Sequence, residues 1–304
     1  MAKIIFAMLA HAQPDVVTDS IASFLREPGS ECVLFDGGLH QTISHQLDVE
    51  ICPFSAPIRY AHTLFKFHSG VLRYLYETGR DYEFLVFVEG DMSLLKPGFY
   101  KSLCRTMANS EYMATNFHEI FDSPERACAD WHIGATFLRK WKDWKDHFPG
   151  VIYPYGCLNP GQTVRKEFVD RLFQKNVLSE ILAHAERSPL PTLEEVVWPT
   201  LAANYAVNPI TNPGSHGIRI GSFSSAEMKR FVQDPSVFLL HKMSMRVAAP
   251  DREFVRSIWG GGSIDSLSFY PAKDARSWPA RKTTAWIART KLDIKSIYYR
   301  MADG

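Results

Sequence analysis

Seven consecutive residues that favour extended backbone, Tyr82-Glu83-Phe84-Leu85-Val86-Phe87-Val88, stop abruptly at Glu89-Gly90-Asp91. A run this apolar lacks the alternation of a half-solvated strand, so both of its faces have to be covered. The preceding sequence supplies the cover. Residues 3–9 are a second compact apolar run, followed by a Pro-Asp break and by Val16, Val17, Ile21 and Leu25 at helical spacing. Short apolar segments at 31–35 and 49–52 read as strands, and the first of them ends in Asp36-Gly37-Gly38. Over 61–77, Leu64, Phe67, Val71, Leu72, Leu75 and Tyr76 recur with helical period, and Gly79 sits just past the end. Strands and helices of this length in alternation predict an α/β fold built on a mainly parallel sheet flanked by helices.

The second half is less regular. Residues 112–116 and 133–138 read as strands, the latter followed by a helix bearing Trp141 and Trp144, and 154–161 reads as a Pro/Gly-rich loop. Helical periodicity runs over 167–187, another helix begins within 194–204, and 237–240 is a last short strand ending in His241-Lys242. Three glycines within 260–263 mark a linker, which divides the chain into a domain of residues 1–259 and a tail of 260–304.

The 304 residues, 46% hydrophobic and 22% charged, are enough to bury a substantial core. Thirty-four Lys and Arg against 33 Asp and Glu leave a net charge of +1, which argues against nucleic acid as the main partner. The five cysteines are odd in number and show no C-x-x-C pair, a usage that fits a reducing, cytoplasmic compartment. The opening apolar run is short, carries Lys3 and meets His11, Gln13, Pro14 and Asp15 directly, so it reads as a buried strand and not as a signal peptide. No apolar stretch approaches the roughly 18 to 20 residues that cross a bilayer, so any membrane association is expected to be peripheral.

Glu89 and Asp91, spaced i and i+2 at a strand end, fall on one side of the pleat with a glycine between them. Two carboxylates so placed suit Mg²⁺ or Mn²⁺, which bridges phosphates; they also suit a plain turn cap. Thr192-Leu193-Glu194-Glu195 puts paired carboxylates in the first turn of a helix, and Thr192 with Glu195 has the spacing of a capping box. Pro199 lies inside that helix, so it is expected to start late or to be distorted.

These segments together resemble the GT-A glycosyltransferases, whose fold is Rossmann-like. The apolar strand, Glu89-Gly90-Asp91 and a following Pro97 resemble the family's DxD region, with Glu in place of the first Asp. Glu194-Glu195-Val196-Val197-Trp198-Pro199-Thr200-Leu201 is similar to an S-P-D-E motif with a following apolar pair and Trp-Ala-Thr-Leu in the branching N-acetylglucosaminyltransferases, and to a stretch in related bacterial polysaccharide enzymes. The resemblance implies an inverting transferase in which Glu195 is the general base and Glu194, on the family's Asp, supports the acceptor. The Ala-His-x-x-Pro turn after the first strand is similar too, and implies that Ala10, His11 and Asp36 lie near the base and ribose of a nucleotide. His241, Lys242 and Arg246 correspond to groups that meet the diphosphate, His241 as a third metal ligand beside Glu89 and Asp91. The branching enzymes dispense with metal and hold the diphosphate with basic residues, so a Mn²⁺ or Mg²⁺ cofactor and a metal-independent route through Lys242 and Arg246 both stay open. His132 and Gly134 fall on the strand that borders the acceptor in such enzymes, and Tyr153, Tyr155 and Asn159 in the following loop offer stacking faces and hydrogen bonds for a sugar.

From Pro271 onward eight Lys and Arg stand against three Asp, interleaved with Trp278, Trp286, Ile287, Ile294, Ile297 and Tyr298. A basic, aromatic amphipathic tail of this kind fits either an anionic membrane surface or packing on the domain. The expected protein is thus a cytoplasmic enzyme, peripheral on the inner membrane face where the tail serves as anchor. It would transfer a sugar from a nucleotide-diphosphate sugar, of the UDP kind, to a saccharide or lipid-linked saccharide in surface polysaccharide or lipopolysaccharide assembly. The rivals are a sugar nucleotidyltransferase, whose Gly-rich phosphate loop Ala10 to Asp15 lacks, and a non-catalytic carbohydrate- or membrane-binding protein of the same fold.

Overall fold

The computed structural model describes residues 2–11, 13–39, 47–58, 64–120, 132–188, 190–219 and 221–261, with the backbone alone at 132–135 and 186. The tail expected from 262 onward lies outside the described residues. Nine strands are described: β1 (Ala2–Ala10), β2 (Ser30–Asp36), β3 (Glu50–Ile51), β4 (Tyr82–Glu89), β5 (Met92–Leu94), β6 (Tyr112–Glu119), β7 (Tyr155–Arg165), β8 (Ile210–Thr211) and β9 (Leu239–His241). Seven of them form one sheet in the order β3-β2-β1-β4-β7-β6-β8, and β5 pairs with β9 in a separate antiparallel ribbon. Within the large sheet β3, β2, β1 and β4 run parallel, β7 is antiparallel to both neighbours, and β8 is parallel to β6. The fold is therefore α/β with a mostly parallel seven-stranded sheet, consistent with a Rossmann-like arrangement.

Period-two alternation explains how the central strands are buried twice over. Ile5, Ala7, Leu9, Leu85 and Phe87 face one core with α2 (Phe65–Glu77), while Ile4, Phe6, Met8, Phe84, Val86 and Val88 face the other with α1 (Pro14–Leu25) and α3 (Phe99–Thr106). Each such side chain contributes ~1.5–3 kcal/mol when fully buried, which makes this doubly covered centre the most stabilised part of the sheet.

Three segments differ from the sequence reading. Residues 133–138 belong to helix α4 (His132–Arg139), because Phe137, Trp141 and Trp144 recur at i, i+4 and i+7 and pack together, with Phe137 5.3 Å from Trp144 between ring centres. Helical periodicity over 167–187 resolves into α5 (Lys166–Gln174) and α6 (Val177–Arg187), separated where Asn176 takes a left-handed φ of 56°. Residues 154–161, expected as a loop, lie mostly in β7, which carries a wide irregularity. Thr163 pairs with Met113 and Leu158 with Thr115, so residues 159–162 stand opposite the single Ala114. A bulge admits Pro160 without a lost ladder bond and Gly161 at φ 79°, which is why a Pro-Gly pair there does not mean a loop.

After a 3-10 turn at Leu193–Glu195 comes α7 (Val197–Tyr205), so the Pro199 helix does start late. Helices α8 (Ser225–Gln233) and α9 (Pro250–Trp259) form a third apolar cluster in which Met228, Phe231, Phe254 and Val255 meet Leu95 and Leu240. Among the described residues no helix is long and apolar enough to cross a membrane.

Candidate functional site

The carboxyl ends of β1, β2 and β4 line up, with Ala10 opposite Asp36 and Leu9 opposite Glu89. In open α/β sheets this edge is where ligands bind. Ala10 closes the row, its carbonyl accepting the Gly37 N–H at 2.8 Å, and His11 lies exposed beside Gly37. Asp36 is fully buried; its carboxylate accepts the Gly38 N–H at 3.0 Å and so shapes the turn past β2.

Past β4 the chain turns through Gly90 into β5, and the pairing of Met92 with His241 draws β9 alongside. Glu89, Asp91 and His241 each then offer a ligand atom, all within 4.8 Å of one another. Asp91 Oδ1 lies 3.6 Å from His241 Nε2, and Asp91 Oδ2 lies 3.0 Å from Lys242 Nζ. Asp91 Oδ1 and His241 Nδ1 are buried without a hydrogen-bond partner. Desolvation pushes the Glu89 carboxyl up to about 7; the Asp91 charge adds to this and the Asn159 hydrogen bond opposes it. Burial lowers the His241 imidazole, which keeps it a neutral donor. Two carboxylates and an imidazole are a donor set of the kind that could hold Mn²⁺ or Mg²⁺, with Asp91 Oδ1 and His241 Nδ1 the only buried atoms among them that lack a partner.

A buried arginine holds this turn in place. Arg252 Nη1 donates to Asp19 at 2.9 Å and to Ser20 Oγ at 3.0 Å, and its Nη2 donates to the Gly90 carbonyl at 3.2 Å. Asp19 and Ser20 lie on α1 and Arg252 on α9, so two helices from opposite ends of the chain grip the segment between Glu89 and Asp91.

The bulge of β7 supplies the connection to the second pair of carboxylates. Asn159 Nδ2 donates to Glu89 Oε1 at 2.9 Å, while its backbone N–H donates to Glu195 Oε1 at 3.2 Å. Gln162 Nε2 fixes the orientation of that amide, bonding Asn159 Oδ1 at 3.2 Å and the Glu194 carbonyl at 3.1 Å, and Gln162 Oε1 accepts from the Tyr112 hydroxyl at 2.7 Å. Glu195 does not close a capping box: Thr192 sits at φ 55° and makes no side-chain cap. The Glu195 carboxylate is therefore turned toward the site, and the residue is 7% exposed.

Glu194 is placed differently from its neighbour. It is wholly enclosed, neither carboxylate oxygen has a hydrogen-bond partner, and burial pushes its carboxyl well above the usual range, with the Glu195 charge adding to the effect. That enclosure leaves its carboxylate no surface open to solvent. Lys242 is joined to the carboxylates, whereas Arg246, on the loop after β9, is exposed and makes no ion pair among the described residues. Tyr155 begins β7, roughly 13 Å along the strand from Asn159, and stacks on Phe117 at 5.2 Å. His132 and Gly134 open helix α4, not a strand, and their side chains lie outside the described residues.

The sequence reading missed Asn159 as a connector, and Gln162 and Arg252 altogether. The signal for the first two was the Pro160-Gly161 pair inside an otherwise strand-like stretch, which marks a bulge as well as a loop. Arg252 carried none, since an arginine in an amphipathic helix ordinarily faces water.

No family model matches this chain. A segment of 101 residues, 32% of the chain, is 35% identical to part of an ATP-dependent 6-phosphofructokinase from Lactobacillus acidophilus. The match covers 29% of that relative, so the chain spans about three-tenths of its length.

Proposed function

We propose that the protein is an inverting glycosyltransferase of the GT-A kind, which takes a sugar from a nucleotide-diphosphate donor, of the UDP class, to a saccharide acceptor in bacterial surface polysaccharide or lipopolysaccharide assembly. The observation that carries this reading is Asn159. One residue donates to the strand-end Glu89 and to Glu195, so a carboxylate pair suited to the donor and a carboxylate suited to the acceptor share one rigid support. Glu195 Oε takes the proton of the acceptor hydroxyl as that oxygen attacks the anomeric carbon, and the bond to the nucleotide diphosphate breaks on the opposite face. Lys242 Nζ neutralises charge on the departing diphosphate. A divalent cation held by Glu89, Asp91 and His241 would supply further charge neutralisation there.

Glu195→Gln keeps the shape and removes the base, so transfer is expected to fall by about 100-fold or more while UDP still stabilises the protein against heat. Unchanged transfer and donor hydrolysis would sink the assignment. In the same melting assay UDP is expected to raise Tm more with Mn²⁺ than without it, and Asp91→Asn to abolish the difference. An equal shift without metal would move the diphosphate to Lys242 and its basic neighbours.

The partial similarity to a phosphofructokinase favours a second reading, phosphoryl transfer from ATP to a sugar at the same sheet edge. Stabilisation by ATP and not by UDP, with ADP released in the presence of a sugar phosphate, would select it.

A further inference from the structure

Away from the sheet edge, the loop after α4 and the end of α6 enclose a pocket of about 210 Å³. Lys140 comes from one wall and Arg187, with the His184 imidazole, from the other; Asp143 is the single acid of the lining, and Ser188 adds a hydroxyl. Trp144 forms the floor, edge-on to the His184 ring at 4.4 Å, and His147 stands behind, 4.7 Å from His184 between ring centres. Neither Lys140 nor Arg187 has an ion-pair or hydrogen-bond partner for its side chain among the described residues.

Cations in the last turn of a helix ordinarily serve its free carbonyls. Arg187 makes no such bond, and Lys140 arrives from a different element, so the two converge on the space and not on the helix end. Burial lowers the His184 imidazole, with His147 and Arg187 acting in the same direction and Asp143 opposing them, so His184 stands in the pocket as a neutral ring beside the two cations. The volume is below the ~300 Å³ of an ordinary small-molecule site, so the pocket takes one group of a ligand and not the whole of it.

We propose that this pocket is an oxyanion subsite that anchors an acidic group, phosphate or sugar carboxylate, carried by the acceptor saccharide. The pairing of guanidinium and ammonium suits such a group, and the packed Trp144 closes the space beneath it. The link to the reacting end is short: Leu190 borders the pocket and Glu195 follows five residues later, at most ~18 Å of chain. Anion binding stands on the pocket alone; that the anion belongs to an acceptor rests on the glycosyltransfer reading.

The test uses the full chain with histidines labelled for NMR, at constant ionic strength, with inorganic phosphate and glucuronate as separate probes. Saturable shifts of the His147 and His184 signals are expected, and any shift of His11 or His241 reports the separate site at the sheet edge. The double variant Lys140→Ala/Arg187→Ala, which alters exposed side chains, is expected to weaken binding about tenfold or more. Response to phosphate alone identifies a phosphate-bearing acceptor, and response to glucuronate alone an acidic sugar; either supports the subsite. Absence of a saturable shift with both probes, or equal affinity in the double variant, overturns it. A parallel titration with UDP reads His11 and His241, so failure of the donor reading registers separately from failure of this pocket.

Discussion

Glu194 and Glu195 are chain neighbours with opposite surroundings: the first is sealed with both oxygens unpartnered, the second is turned to the site and held by the Asn159 N–H. A sealed carboxyl is held in its neutral form, and this ties folding to pH. The folded-state value of Glu194 is raised, whereas in the unfolded chain it titrates near about 4.3. Below that value both states carry the proton and the burial of Glu194 is harmless. As pH climbs above it, only the unfolded chain ionises freely, so stability is lost progressively until the folded value is reached. Glu194→Gln removes this term. The Tm of the variant is expected to gain on that of the wild type as pH is raised from 5 to 8, as read by calorimetry; a constant difference would show that Glu194 does not titrate between the two states. The dyad was legible in the sequence, but its division of labour was not, because adjacent residues in a 3-10 turn point in different directions and only the packing decides which one faces inward.

Among the elements, β4 was legible almost to the residue, since a doubly buried parallel strand has few alternatives once its apolar run is bounded by a turn. β7 was not. Pro160 and Gly161 break the pattern by which a strand is recognised, yet the bulge they permit is what turns Asn159 toward Glu89 and Gln162 toward Tyr112. Local irregularity concealed the element and built the site in the same four residues. α9 went unread as well, although it supplies the clamp on Gly90. Arg252 has a fully buried side chain paired with Asp19. Arg252→Ala removes one of two partners from each group, since Asp19 keeps Arg256 and the Gly90 carbonyl keeps the Ser20 hydroxyl, at a cost of about 2 kcal/mol. Urea unfolding is expected to show the loss as a lower midpoint, together with weaker UDP binding because the Glu89–Asp91 turn is released. An unchanged midpoint would mean that the guanidinium is dispensable to the packing of α1 against α9.

At the scale of the whole molecule, the alternation of strands and helices in the first half was enough to predict a mostly parallel, doubly covered sheet. The reversed direction of β7 was beyond reach, because strand direction depends on the path of the preceding connection and not on composition. The basic C-terminal segment bears on where the protein resides. Eight Lys and Arg against three Asp from Pro271 onward give it a net charge of +5, whereas the rest of the chain, with 26 Lys and Arg against 30 Asp and Glu, carries −4, so an anionic lipid surface would attract the segment and not the domain. Full-length protein is expected to sediment with anionic vesicles, and protein ending at 261 to remain in the supernatant; equal sedimentation would exclude the segment as an anchor.

The pairing of β5 with β9 has a consequence for synthesis. Asp91 leaves the ribosome early and His241 late, so the central strands can be assembled while the acidic turn still lacks its imidazole and Lys242. A nascent or prematurely terminated chain would thus carry the bare carboxylates without the groups that complete them. On the proposed function, a polypeptide that stops before β9 would lack the groups that complete the donor site and is not expected to engage a nucleotide.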